Sequence, residues 1–203
     1  MGDDRDTTAL RQRLLGENDF EDEVFTGGAL PGIDLRRKRF ARCRFEAVAM
    51  NEAQLQAVIL DECVFVRCDL TMAKVAECSF RDVRFEHTKL MGVDWSVARD
   101  LLFDVSFEGC VLSYGVFAGR KMRKVEVVDC VAHEADFTGA DLSEASFRGS
   151  DLRDAVFSRT KLVKADLSTA HGYRIHPGEN ILKKTRFSME AGLDALATLG
   201  IIV

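Results

Sequence analysis

The side chains with the greatest chemical reach in this chain are six cysteines, four histidines and a dense set of acids. The cysteines are Cys43, Cys63, Cys68, Cys78, Cys110 and Cys130. A metal centre or a redox couple would set them in CxxC-like pairs with histidine nearby. No such pair occurs; each cysteine stands two residues before an apolar one, as Cys43 before Phe45 and Cys110 before Leu112. That spacing gives them the role of small buried apolar residues, interchangeable with alanine and not joined in disulfides. His87, His133, His171 and His176 are scattered, and the last two flank a Gly-Tyr-Arg-Ile connector that reads as a solvated loop. The chain has no GxSxG elbow, no HExxH pair, and no glycine loop leading into a helix with a lysine. Gly27-Gly28 and Pro31-Gly32 read as irregular turns. The expectation is a protein with no catalytic residue, no metal and no cofactor.

The acids have meaning only through the element that positions them, and that element is a repeat. Every fifth residue is apolar from Phe20 through Phe25, Leu30, Leu35 and Phe40 to Trp95. The beat slips by two residues, resumes at Leu102 and Phe107, weakens at Ala132 and runs on to Leu167. A period of five fits neither a helix nor a simple strand and marks a solenoid. Two residues before each beat the side chain is usually small, as at Ala53, Ala73, Ala135 and Ala145, and one residue before it is often Asp. In an extended strand positions two apart share a face, so each five-residue unit supplies one short strand and a turn.

A spacing of 20 then aligns Phe25, Phe45, Phe65 and Phe85, with Phe107 if the slip is a two-residue insertion, and separately Phe117, Phe137 and Phe157. Charges alternate at the same step: Asp22–Arg42–Glu62, Asp61–Arg81, Lys121–Asp141–Lys161 and Lys124–Glu144–Lys164. Both patterns predict four strands per coil, stacked in parallel about 4.8 Å apart. The fold class is an all-β solenoid, a right-handed quadrilateral parallel β-helix, with the hand taken from the crossover preference, closed by a C-terminal α-helix.

The chain of 203 residues divides into an N-terminal arm or short helix at 1–17 and the coil at 18–170, with a two-residue insertion near 96–101. An irregular last coil or connector follows at 171–187, then a helix and apolar tail at 188–203. Ser188 is placed to cap that helix and Gly200 to stop it. Met189, Leu193, Leu196, Ala197 and Leu199 give it an apolar face, and the chain ends Ile201-Ile202-Val203. Such a tail is unfavourable in water unless covered. The bland reading has the helix cap its own coil; the sharper one adds a second chain through Leu193, Leu196, Leu199, Ile201, Ile202 and Val203. No apolar run is long enough to span a membrane and the N-terminus is charged, so the expected location is cytoplasmic. A formal net charge of −5 argues against direct nucleic-acid binding, which needs a basic footprint.

The segment ADFTGADLSEASFRGSDLRDAVF, residues 135–157, resembles the pentapeptide repeat family, whose loose motif is A-(D/N)-L-x-x, and the resemblance covers residues 18–170. The C-terminal helix with its Leu-Gly-Ile finish, and VRFEHTKLMGVDW at 83–95, are similar to the Qnr-type and albicidin-resistance members of that family. The resemblance implies a head-to-head homodimer through the C-terminal helix. It further implies a type II topoisomerase, DNA gyrase or topoisomerase IV, as partner, met by an acidic, DNA-shaped rod that in some members relieves quinolone inhibition. The alternative is a scaffold or adaptor for another protein. This chain departs from several Qnr-type members in lacking long projecting loops.

Thirty beats at four per coil make a rod of roughly 36 Å, over which B-DNA carries about 21 charges. A net charge of −5 falls far short, so any likeness to DNA must be local. Residues 126–154 hold eight acids and two arginines, enough to match the roughly four charges of DNA over the same rise. The ladders place Asp141 and Glu144 between lysines. They leave Glu134 above Asp154, and Glu86 above Glu108, as like charges. With Glu126, Asp129 and Asp151 these form the candidate partner surface; the bland alternative is a solvated acidic face.

Overall fold

The computed structural model describes residues 3–101 and 103–202. Leu102 of the beat and Val203 of the tail lie outside the described residues. Ten short strands form in chain order: β1 (Asp19–Glu21), β2 (Val24–Thr26), β3 (Arg39–Ala41), β4 (Arg44–Glu46), β5 (Ile59–Asp61), β6 (Val64–Val66), β7 (Ser79–Arg81), β8 (Val83–Glu86), β9 (Val105–Glu108) and β10 (Glu126–Val128). All pairing is parallel. The first face stacks β1-β3-β5-β7, and the second stacks β2-β4-β6-β8-β9-β10. The third and fourth faces are single-residue bridges; the third runs unbroken from Ala29 through Ala49, Asp69, Lys89, Val111, Val131 and Asp151 to His171. The step is 20, as in Phe45↔Phe65, except across the insertion, where Phe85 pairs with Phe107 and Asp94 with Val116.

The edges between faces turn on left-handed residues. Glu52, Met72, Lys124, Glu134, Asp154 and Lys164 all have φ between 54° and 63°. Each such non-glycine residue costs roughly 1 kcal/mol. The same turn aims its N–H at the next coil: Glu52 N donates to Thr71 O at 2.7 Å, Lys124 N to Ser143 O at 2.9 Å and Glu134 N to Arg153 O at 2.9 Å. Such bonds recur along the rod, as at Met72, Glu144 and Lys164, and offset the local strain.

Inside, the beat residues form continuous columns. Phe25, Phe45, Phe65, Phe85 and Phe107 stack with centroids 4.6–5.4 Å apart, and Trp95, Phe117, Phe137 and Phe157 stack at 5.1–5.8 Å. The space left among Leu55, Phe65, Phe80 and Trp95 is about 10 Å³, near the least that holds one water. All six cysteines are free and buried two residues before the beat.

Two cations occupy that small-residue position instead. Lys38 is 5% exposed and Arg120 2%. The Lys38 ammonium reaches one coil back to Leu15 O at 3.4 Å, to Glu17 O and to Asn18 Oδ1 at 3.3 Å, closing the end of helix α1 (Asp3–Gly16). Arg120 also reaches back one coil: it donates to Ala98 O, Arg99 O and Asp100 Oδ1, each at 2.8 Å, and lies 4.0 Å from the Phe103 ring centroid. It pins the two-residue insertion against the coil. Trp95–Val97 makes a 3₁₀ turn just before that segment, with the Asp94 side chain accepting from Ser96 N.

Both ends are covered. Leu14 of α1 is fully buried and Leu10 packs against the first coil. Helix α2 (Met189–Thr198) is capped by Ser188, whose side chain accepts from Ala191 N. It turns Ala191 and Ala195 inward, while Tyr173 OH donates to Leu167 O and accepts from Ser188 N. Leu193, Leu196, Leu199, Ile201 and Ile202 point outward, Ile202 being 99% exposed. Small alanines let the helix approach the coil closely; the larger side chains are left on the far side. Among the described residues no helix is long and apolar enough to cross a membrane.

Candidate interaction surface

Turns at fixed φ place every edge residue in line with its counterpart 20 positions away. That rule governs the acids. Glu86 and Glu108 are register partners on β8 and β9. Glu126 opens β10 opposite Ser106. Asp129 follows β10 on the edge between the second and third faces, with φ 51°, and its carboxylate occupies the space a Cβ on Gly149 would need. Glu134 and Asp154 share the next edge, between the third and fourth faces. Among the described residues none of Glu86, Glu108, Glu126, Asp129, Glu134 and Asp154 forms an ion pair. Glu86, Glu108 and Glu126 border a shallow groove of about 230 Å³ whose rim also carries Arg84 and Arg148.

Asp151 requires a correction. The ladder grouped it with unneutralised acids, but its carboxylate meets His133 Nε2 at 2.8 Å, the Arg153 guanidinium at 3.0 Å and His171 Nε2 at 3.7 Å. Burial raises its pKa, yet the bonds from His133 and from the Arg153 backbone outweigh this and hold the carboxyl below its ordinary value. The signal for His171 was available, since it stands one rung on from Asp151.

The laddered pairs divide. Asp22 binds Arg42 at 2.7 Å, Asp61 binds Arg81, and Asp141 binds Lys161 at 3.2 Å, each at the step of 20. Glu144 does not sit between two paired lysines: its partner is Arg123, at 3.4 Å across a diagonal of 21. Lys124 and Lys164 form no ion pair among the described residues. Arg123 reaches Glu144 from beside Lys124 and takes its charge.

Arg120 and Lys38 were missed. Both break the small-residue rule two places before the beat, and that breach is the signal that could have found them. The apolar tail residues Leu193, Leu196, Leu199, Ile201 and Ile202 lie together on the outward side of α2 and just beyond it. Among the described residues no group of three or more histidines, cysteines or carboxylates could hold a metal ion.

Comparison with known proteins agrees with this architecture. A family model described as pentapeptide repeat region matches residues 38–99, and one described as pentapeptide repeats (8 copies) matches residues 133–171. A search of curated proteins finds no significant match to the sequence. Among solved structures, a trypsin-treated form of QnrB1, a plasmid-mediated fluoroquinolone resistance protein, is similar at 21% identity and a TM-score of 0.62, over 95% of this chain and 94% of that one. A second trypsin-treated variant of QnrB1 gives 20% identity and a TM-score of 0.60, over 91% and 89%. At such identity the likeness is one of fold. With its step of 20, its left-handed edge turns and its stacked phenylalanine columns, this chain belongs to the pentapeptide repeat proteins.

Proposed function

We propose that this protein is a non-catalytic binding rod that engages a type II topoisomerase, DNA gyrase or topoisomerase IV, by offering an acidic band in place of DNA. The observation that carries the reading is the set of acids left unpaired in register, Glu86 over Glu108 and Glu134 beside Asp154 on the next rung. Like charges on adjacent rungs oppose folding, so a partner that neutralises them gains what the free rod lacks. The fold shared with a fluoroquinolone resistance protein supports the choice of partner. The outward leucines of α2 support a second copy of the chain as the cover for that end. In this reading protection from quinolones is one outcome of occupying the enzyme's DNA-binding surface.

The test is gyrase supercoiling with and without a quinolone, at low and moderate salt. The expected result is a dose-dependent change in supercoiling or in quinolone sensitivity, lost on reversing Glu134 and Asp154 to lysine. Indifference of gyrase and topoisomerase IV at both salt levels would leave a pentapeptide scaffold for another protein partner.

A further inference from the structure

The edge between the first and second faces carries the opposite charge over its last four rungs. Residues 121–124, 141–144, 161–164 and 181–184 hold seven cations and two acids, a net of +5 in a chain of net −5. Lys161, Arg123 and Arg186 are engaged with Asp141, Glu144 and Asp166. Lys121, Lys124, Lys164, Lys183 and Lys184 form no ion pair among the described residues. Lys124, Lys164 and Lys184 hold the same turn position, with φ of 63°, 60° and 61°, and all three are exposed. They emerge in one line from this edge, with Glu144 at the same turn position between Lys124 and Lys164 (φ 63°) and bonded to Arg123.

We propose that this edge binds the phosphate backbone of duplex DNA without reading its bases. Three rung steps span about 14 Å, over which a duplex carries about eight phosphate charges; the edge's +5 neutralises more than half of them. No aromatic residue stands among these segments, so base stacking, which single strands use, has no platform here. In a square coil this edge is diagonal to the one bearing Glu134 and Asp154, which sets the body of the rod between the acids and the bound duplex. The average charge of the sequence argued against nucleic acid because it sums two sides that the fold separates. The inference stands apart from the topoisomerase reading and survives its failure.

The test is fluorescence anisotropy of a labelled 20-base-pair duplex with the full chain between 50 and 200 mM NaCl. Neutralising four or five phosphates gives a log–log salt slope near −4, roughly a 250-fold loss across that range. Replacing Lys124, Lys164 and Lys184 by alanine should weaken binding and flatten the slope by about 3. K124E/K164E/K184E should abolish binding, and E134K/D154K should not weaken it. Thermal melts of each variant check that the coil is intact; if the reversal fails to fold, the alanine set decides. The proposal is overturned by no binding at 50 mM salt or by an unchanged slope in the alanine variant. Equal affinity for a poly-glutamate peptide, or for phosphatidylserine vesicles, would overturn it in favour of an acidic protein or a membrane surface.

Discussion

Along a single edge of this coil, identical backbone positions carry two different electrostatic designs. In the first four rungs the tips are Glu21-Asp22, Ala41-Arg42, Asp61-Glu62 and Arg81-Asp82, so cations and acids are interleaved. Arg42 holds Asp22 and Glu21, and Arg81 holds Asp61. In the last four rungs the tips are Arg123-Lys124, Ser143-Glu144, Val163-Lys164 and Lys183-Lys184. There one acid faces five cations and most lysines stay unpaired. A left-handed residue recurs in both stretches, but among the described residues the last four rungs close a tight turn that the first four lack, as in Val125 N to Met122 O at 3.2 Å and Ala145 N to Leu142 O at 3.1 Å. Side chains on such an edge are free to bind each other or to wait for a partner, and this chain does one at each end.

The comparison can be broken at the junction between the stretches, where the largest effect is expected. Arg120 holds three acceptors of the insertion from a buried position. R120A leaves two of those carbonyls without their donor and should cost about 2–3 kcal/mol in urea unfolding. R123A, at an exposed pair, should cost less than about 0.5 kcal/mol. Equal losses would mean that the insertion needs no anchor.

Removing the chain beyond Phe187 is expected to act next, and on assembly. Light scattering of the full chain should give twice the 22.6 kDa of one copy, and the truncated chain should give monomers or aggregates. A full-length monomer at micromolar concentration would refute the cover proposed for α2.

Acid should loosen the laddered pairs before the core. The hydrogen bond from Arg42 on the next rung lowers the pKa of Asp22, and Arg36, two residues on in the same turn, brings Asp34 to about 2 from 3.8. Asp166 is lowered as well, by Ser168 and Arg186. A carboxyl with a lower pKa in the folded state binds fewer protons there than when unfolded. Its contribution is therefore complete above pH 3.8 and is lost as pH falls toward 2. Melting temperature should drop across that window, and R42A should shrink the drop; a pH-independent melt would remove the ladders from the stability of the first stretch.

The smallest signal is expected from the thiols. Burial pushes Cys68 up to about 11 and Cys78 up to about 12, so neither forms appreciable thiolate at pH 8. The neighbouring Cys63 lowers Cys43 to about 7 and Cys130 lowers Cys110, but both are 1% exposed, so mild thiol reagents should label few of the six cysteines without denaturant in either stretch. Rapid stoichiometric labelling would contradict the inward position assigned to them.

The legible part of this protein was whatever the period dictates. A five-residue beat with a small residue two places before it leaves one way to bury both, so the columns from Phe25 to Phe107, the buried cysteines and the step of 20 follow from spacing alone. The direct pairs Asp22–Arg42 and Asp141–Lys161 follow from the same step. Diagonal contacts do not, because a long side chain on a turn can reach the rung beside it, its own turn or a neighbour 21 away. Hence Asp151 is bonded by His133 and paired with Arg153, and Glu144 is paired with Arg123, which frees Lys124 and Lys164. Helical periodicity marked the leucines of α2 as one face but could not say which way it turns; the close fit of Ala191 and Ala195 against the last coil turns it outward. By itself the sequence determined the coil, its register and its core, because the period fixes which residues are buried and the phenylalanine columns and charge ladders at a spacing of 20 fix four units per coil. Which charges remain available to a partner was decided only in the tertiary structure, because side-chain reach across rungs, not position in the repeat, determines who neutralises whom.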